Sequence, residues 1–151
     1  MIVYRVAKKQ YAEDLTGEGA RLHGGRWNHP MTPCLYASES RALAILEYSV
    51  NVQLVLMPLV IVLVSIEVPT EHLMTIRRDR MPRDWNAVPA PESTKNMGTL
   101  ILNDSNVPVF GVPSSIVPEE WNYVINPRVL QPHLIRIADT REFAYDFRIK
   151  Q

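Results

Sequence analysis

A mixed α+β domain is the fold class this sequence predicts, and three observations carry it. Residues 59–68 (LVIVLVSIEV) form an unbroken apolar, largely β-branched run, residues 143–149 alternate apolar and polar side chains, and Leu43, Leu46, Glu47 and Val50 recur at helical spacing. A chain of 151 residues buries one core of its own but not two, so a single compact domain over 1–151 is expected, with mixed or antiparallel sheets.

Each element follows from local pattern. Residues 1–6 alternate weakly and suit a first strand, with Tyr4 and Arg5 at its exit. The polar, glycine-containing stretch 8–33 is too long for a plain connector, and loops of that kind carry function. Residues 34–37 read as a short strand, and Ser38 as the N-cap of a helix over 39–51. Residues 59–68 predict a central strand covered on both faces, closed by Pro69. The stretch 70–91, with Arg77, Arg78, Arg80 and Arg83 among acids and prolines, suits a short helix and an irregular surface loop. Residues 98–102 and 107–112 predict two more strands joined by the turn Asn103-Asp104-Ser105-Asn106. With the alternating strand at 143–149, the expectation is five or six strands and one clear helix, without repeats or linkers.

Composition excludes several classes. Sixteen basic residues balance sixteen acidic ones and the pI is near 6.9, which excludes the basic footprint of a dedicated nucleic-acid binder. The cations are 12 Arg against 4 Lys, a bias toward forked contacts with phosphates or carboxylates. One cysteine, Cys34, excludes an intrachain disulfide framework and multi-cysteine zinc sites. The N-terminus lacks a signal-peptide pattern, and the longest apolar run, 54–64, is interrupted by Pro58 and falls short of the ~20 residues of a membrane helix. A cytoplasmic protein is expected. Gly17-Glu18-Gly19-Ala20-Arg21-Leu22 begins like a dinucleotide fingerprint but ends in Leu, and no phosphate loop, HExxH pair or GxSxG elbow occurs. His23, His29, His72 and His133 are scattered, so no metal site is expected.

Three features remain as candidates for chemistry. Glu47 shares the stripe of Leu43, Leu46 and Val50, where a carboxylate is costly unless paired. It is either a satisfied structural group or a functional one. In Gly24-Gly25-Arg26-Trp27-Asn28 the glycines permit unusual backbone and close approach, and Arg26 can grip an anion through two parallel hydrogen bonds. A tight turn with a solvated Arg is the plainer reading. In residues 112–118 a hydroxyl pair, Ser114 and Ser115, sits between two prolines without a nearby His, so it suits a turn better than a nucleophile. Trp121-Asn122-Tyr123 and Asn126-Pro127 either line a pocket or close a turn.

Together, Tyr4-Arg5, GEGARLHGGRWN, TPCLYAS, the Glu of ALAILE, VPSSIVPEEWNYVINP and the final FAYDFR resemble the RES domain family. Its naming Arg, Glu and Ser fall on Arg26, Glu47 and Ser114. The resemblance runs from Tyr4 to Arg148 in the family's order. It departs within 70–102, where only Gly98-Thr99-Leu100-Ile101 stands for an expected Gly-acid-x-Trp pattern.

The resemblance implies the toxin of a bacterial toxin–antitoxin pair, a fold like that of ADP-ribosyltransferases, and NAD as a consumed substrate rather than a bound redox cofactor. It implies a helix-turn-helix antitoxin of the Xre type as partner, and a homodimer. Cleaving nicotinamide from ribose passes through an oxocarbenium-like state and releases neutral nicotinamide, so charge stabilisation and positioning carry the reaction. In that frame Glu47 stabilises the developing charge, Arg26 and Arg5 neutralise the diphosphate, Tyr36 packs on the nicotinamide, Ser114 orients, and Asn122 lines the pocket. Water, phosphate or a protein would accept the ADP-ribose. The competing expectations are protein ADP-ribosylation as the main activity, and a catalytically silent module that only binds its antitoxin.

Overall fold

The computed structural model describes residues 1–104, 106–129 and 134–150 of the chain. Their backbone is organised by one seven-stranded sheet: β1 (Ile2–Ala7), β2 (Leu35–Ser38), β3 (Val60–Glu67), β4 (Met74–Thr75), β5 (Val109–Pro113), β6 (Trp121–Ile125) and β7 (Arg136–Ala144), in the order β4-β5-β6-β2-β1-β3-β7. All neighbours are antiparallel except β4 and β5. Three helices accompany the sheet: α1 (Glu18–His23), α2 (Arg41–Asn51) and α3 (Glu92–Leu102).

Strand alternation sorts the core onto the two faces of this sheet. On one face Val3, Leu35, Ala37, Val62, Val64, Val109 and Ile125 pack with Ala12 and Ile135. The other face carries two separate clusters. Val6, Ile61 and Leu63 pack with Ala44 of α2 and with Tyr145. Phe110, Val112 and Val124 pack with Trp27, Ile76 and Leu102 at the end of α3. The cross-strand register Tyr4↔Ser38↔Asn122↔Val112 runs along this second face. It leaves the polar side chains of Ser38 and Asn122 in the seam between the clusters, which is where the candidate site lies.

Helix α2 is aimed at that seam by the corner that precedes it. Ser40, not Ser38, is the N-cap and accepts the Leu43 amide at 3.1 Å, so the helix starts at Arg41. Ser38 is instead the last residue of β2. Glu39 accepts the Trp121 amide at 3.0 Å and donates its own amide to the Trp121 carbonyl at 2.9 Å, which fastens the corner to β6. At the other end Lys150 donates to the Ser49 and Val52 carbonyls at 2.7 and 2.5 Å, a cation on the carbonyl end of the helix.

Several expectations are corrected. Residues 98–102 belong to α3, because Thr94, Gly98 and Leu102 recur every four residues and form its buried face. Residues 121–125 form strand β6, which the polar Trp121-Asn122-Tyr123 had hidden. The last strand begins earlier and ends at Ala144, after which Tyr145 is buried and Phe147–Ile149 is one turn of 3-10 helix. Within 8–33 lies the six-residue α1. Residues 107–112 become β5, and 70–91 holds β4 and one 3-10 turn at Arg78–Arg80. The strand at 59–68 is buried on both faces as expected, but lies second from the sheet edge. The α2 stripe is narrower than expected, since Leu43 is buried and Val50 is 53% exposed. The first half of the 54–64 run is a 3-10 turn with Val55 85% exposed. Ser105 of the expected turn and His133 lie outside the described residues.

Gly98 has no room for a side chain, because a Cβ there would stand 2.0 Å from the Trp27 carbonyl oxygen, a backbone atom. We expect Gly98→Ala to destabilise the protein by about 3 kcal/mol in denaturant unfolding. Gly19 of α1 has open space, so Gly19→Ala should stabilise by about 0.5 kcal/mol through helix propensity and a less flexible unfolded chain. Cys34 is buried, and that burial pushes its thiol up to about 12, which keeps it neutral well above pH 7. Folded protein should therefore resist a thiol reagent at pH 8 and react once denatured, as mass spectrometry would read.

Candidate active site

Glu47 reaches the seam from one turn before the end of α2, and its carboxylate is met there by hydrogen-bond donors rather than by an ion-pair partner. Ser114 Oγ donates to Oε1 at 2.8 Å and Asn122 Nδ2 donates to the same oxygen at 2.5 Å. Among the described residues, no donor contacts Oε2. One oxygen is thus fixed by a donor on β6 and one in the turn after β5, and the other is uncommitted among the described residues. These bonds supply the pairing that a carboxylate at this depth requires.

Ser114 follows β5 in the turn closed by its own amide on the Glu120 carbonyl at 2.8 Å. Its side chain is fully buried, and its oxygen accepts the amides of Ile116 and Val117 at 3.0 and 3.1 Å. With both lone pairs occupied, the hydroxyl proton points to Glu47. That geometry suits an orienting group and not a nucleophile. The turn expected of the Pro-bounded segment is therefore present, and it aims the Ser114 hydroxyl at Glu47.

Asn122 stands on β6 opposite Ser38, whose Oγ donates to Oδ1 at 2.7 Å while Nδ2 serves Glu47. Next to Ser38 across the sheet, Tyr4 lies under the Arg41 guanidinium, 4.4 Å from its ring centroid, which covers that end of the seam with a cation–π contact.

The Gly24–Asn28 segment packs between the sheet and α3. Gly24 ends α1 with φ +70° and ψ 178°, a backbone conformation open in practice to glycine alone. At Gly25 a Cβ would stand 2.7 Å from the Tyr36 hydroxyl, so here glycine is needed for close approach. Tyr36 Oη accepts the Trp27 amide at 2.9 Å and donates to Asn28 Oδ1 at 2.7 Å. Asn28 is fully buried and donates to the Ala20 and Thr32 carbonyls at 2.8 and 2.9 Å. Burial holds the Tyr36 phenol well above its ordinary range, so it remains a neutral donor. Its hydroxyl is committed to this loop, and only its ring is free to meet a ligand.

Arg26 projects from the segment so held. Its Nη1 donates to the carbonyls of Trp85 and Ala87, both at 2.9 Å, and straps the 82–91 stretch against the loop. Burial draws its guanidinium below the ordinary value, opposed by the charge of Glu47 and by Tyr36. Arg5 does not join them: it pairs with Val64 on the opposite face of the sheet and donates Nη1 to the Asp14 carbonyl at 2.8 Å.

The structure thus brings together Glu47, Ser114 and Asn122 by direct contact, while Arg26 and Tyr36 are held in the 24–28 loop and its strap. Sequence reasoning read Ser38 only as a cap and named Asn28 only within the 24–28 segment, without a role of its own. Ser38 alternates with Tyr36 along β2, which puts both on one face, and that signal was masked by reading Ser38 as a cap. Asn126 closes a turn, donating to the Leu102 carbonyl at 2.7 Å. No group of three His, Cys, Asp or Glu side chains able to hold a metal occurs among the described residues.

The RES domain family model matches residues 2–147. The Prs ADP-ribosylating toxin of Sphingobium sp. (strain YBL2) is 38% identical over 146 residues, covering 95% of this chain and 91% of that protein. Toxin Res of Yersinia enterocolitica is 35% identical and covers 99% of this chain and 100% of its own length. A chain in the crystal structure of the M. tuberculosis MbcT–MbcA toxin–antitoxin complex superposes with a TM-score of 0.76 over 95% of this chain and 84% of its own, at 19% identity, a likeness of fold. Motif order, family match and two relatives over nearly full length agree: the chain belongs to the RES domain family.

Proposed function

We propose that this protein is the toxin of a toxin–antitoxin pair and that it consumes NAD by cleaving the bond between nicotinamide and ribose. One observation carries the reading: Glu47 has one oxygen fixed by Ser114 and Asn122 and the other uncommitted, in the field of Arg26. Such a carboxylate is preorganised to stabilise positive charge, because its orientation is set before the reaction begins. That its relatives are named toxins supports the biological role.

In this reading the C–N bond breaks toward nicotinamide, which takes the electron pair and leaves neutral. The ribose becomes oxocarbenium-like, and Glu47 Oε2 accepts a ribose hydroxyl and offsets the charge. Arg26 keeps its Nη1 on the strap and offers Nε and Nη2 to the diphosphate, while the Tyr36 ring packs beside nicotinamide. Arg5 stands on the opposite face of the sheet from Glu47 and takes no part in this scheme. Water or phosphate then forms a bond to the anomeric carbon of the ribose, the attacking water releasing a proton to solvent, and loss of NAD arrests growth. The name of the Sphingobium relative favours a second reading, transfer of ADP-ribose to a protein. A helix-turn-helix antitoxin of the Xre type is the proposed partner, with a homodimer as the assembled toxin; the MbcT–MbcA complex supports an antitoxin. A bacterial cytoplasm is the setting this implies, and no helix among the described residues is long and apolar enough to cross a membrane.

Purified protein incubated with NAD, with and without phosphate or a protein acceptor, should release nicotinamide. Product mass names the acceptor: ADP-ribose, its phosphorylated form, or a modified protein. In Glu47→Gln the amide oxygen can still accept from Ser114 and Asn122, so folding should persist while turnover falls by at least about a hundredfold. An absence of release from folded wild type in every condition would sink the reading. Arg26→Lys replaces a fork by a point charge and should raise KM for NAD about tenfold or more; an unchanged KM would remove Arg26 from the diphosphate.

A further inference from the structure

Ser38 is a buried hydroxyl that the reading above does not use. It is 3% exposed, and its sole side-chain partner among the described residues is Asn122 Oδ1, at 2.7 Å. Asn122 in turn donates Nδ2 to Glu47 Oε1 at 2.5 Å. Three side chains on β2, β6 and α2 therefore form one directed row: Ser38 to Asn122 to Glu47.

The row has a direction because of what each group can do. A carboxylate only accepts, so Glu47 requires the amino end of the Asn122 amide. The carbonyl end then faces Ser38, whose hydroxyl gives its proton to it. An amide held at one end can still swing about its terminal torsion, which is broad for Asn. Held at both ends it is confined to one plane. Ser38 and Asn122 are also register partners, so the sheet itself sets their spacing. Ser114 needs no such support, because two backbone amides already fix its oxygen.

We infer that Ser38 is a positioning residue for the proposed reaction: it fixes the plane of the Asn122 amide and, through it, the orientation of the Glu47 carboxylate. This rests on the NAD-consuming reading for its kinetic consequence, but not for its structural one. Ser38 touches neither substrate nor reacting atoms in this scheme. Its effect is on kcat, because an ill-oriented carboxylate lowers transition-state stabilisation more than ground-state binding.

The test is a double-mutant cycle of Ser38→Ala and Asn122→Ala in the full chain. Ser38→Ala should lower kcat about fivefold at constant KM, in keeping with the loss of one hydrogen bond acting at a distance. In the Asn122→Ala background the same change should alter kcat less than twofold. Fully additive losses would mean that Ser38 acts elsewhere and would overturn the inference. Unliganded protein gives a second readout in the side-chain NH2 resonances of Asn122, followed by 1H–15N correlation. They should shift and broaden in Ser38→Ala and recover in Ser38→Thr, which restores the hydroxyl. Unchanged resonances in folded Ser38→Ala would reject the role. If the wild type releases no nicotinamide, the NAD reading fails and the resonances alone decide whether Ser38 holds Asn122.

Discussion

The carboxylate of Glu47 at the seam between two apolar clusters is the constraint around which this structure is arranged. Its placement among apolar groups is offset at one oxygen, which accepts from Asn122 on β6 and from Ser114 in the turn after β5. The requirement propagates outward. Ser114 must sit in a tight turn that saturates its oxygen, Asn122 must present its amino end, and the corner before α2 must be pinned to β6 so that the helix arrives at the right place. The turn is closed by local hydrogen bonds, the other two by bonds between segments far apart in sequence.

A second constraint is the loop carrying Arg26. It is held from below by Tyr36, from within by the buried amide of Asn28, and from above by α3, where Gly98 lets the helix approach the Trp27 backbone. A loop so fixed presents its arginine with little loss of freedom on binding, which favours tight recognition of an anion. The same guanidinium straps the 82–91 stretch through two carbonyls. Arg26 therefore joins the rigid part of the molecule to an irregular part, and a ligand contacting its remaining nitrogens would sense both.

Much of this was legible from residues alone where period or composition was strong. The run at 59–68 and the helix through Glu47 were evident from spacing, and the ordered motifs brought out Arg26, Glu47, Tyr36, Ser114 and Asn122. Failures fell where two periods compete over a short window. Residues 98–102 are apolar enough for a strand, but their place on a four-residue repeat with Thr94 is visible only once Gly98 is known to pack on Trp27. The C-terminal alternation at 143–149 was real as a pattern, yet the strand stopped at Ala144 and the chain turned to put Tyr145 under α2. Arg5 was grouped with the site by motif order, whereas strand parity puts it on the other face.

By itself the sequence determined the class of fold, the family, and which residue types were available for chemistry, because these depend on local periodicity and on ordered motifs. Tertiary structure alone decided which of those residues meet. The side of the sheet to which each strand residue points depends on register across β1, β2 and β6, and register is set by pairings between residues as distant as Ser38 and Asn122. The state of Glu47, satisfied at one oxygen and open at the other, is likewise a property of three segments brought together, and no spacing along the chain encodes it.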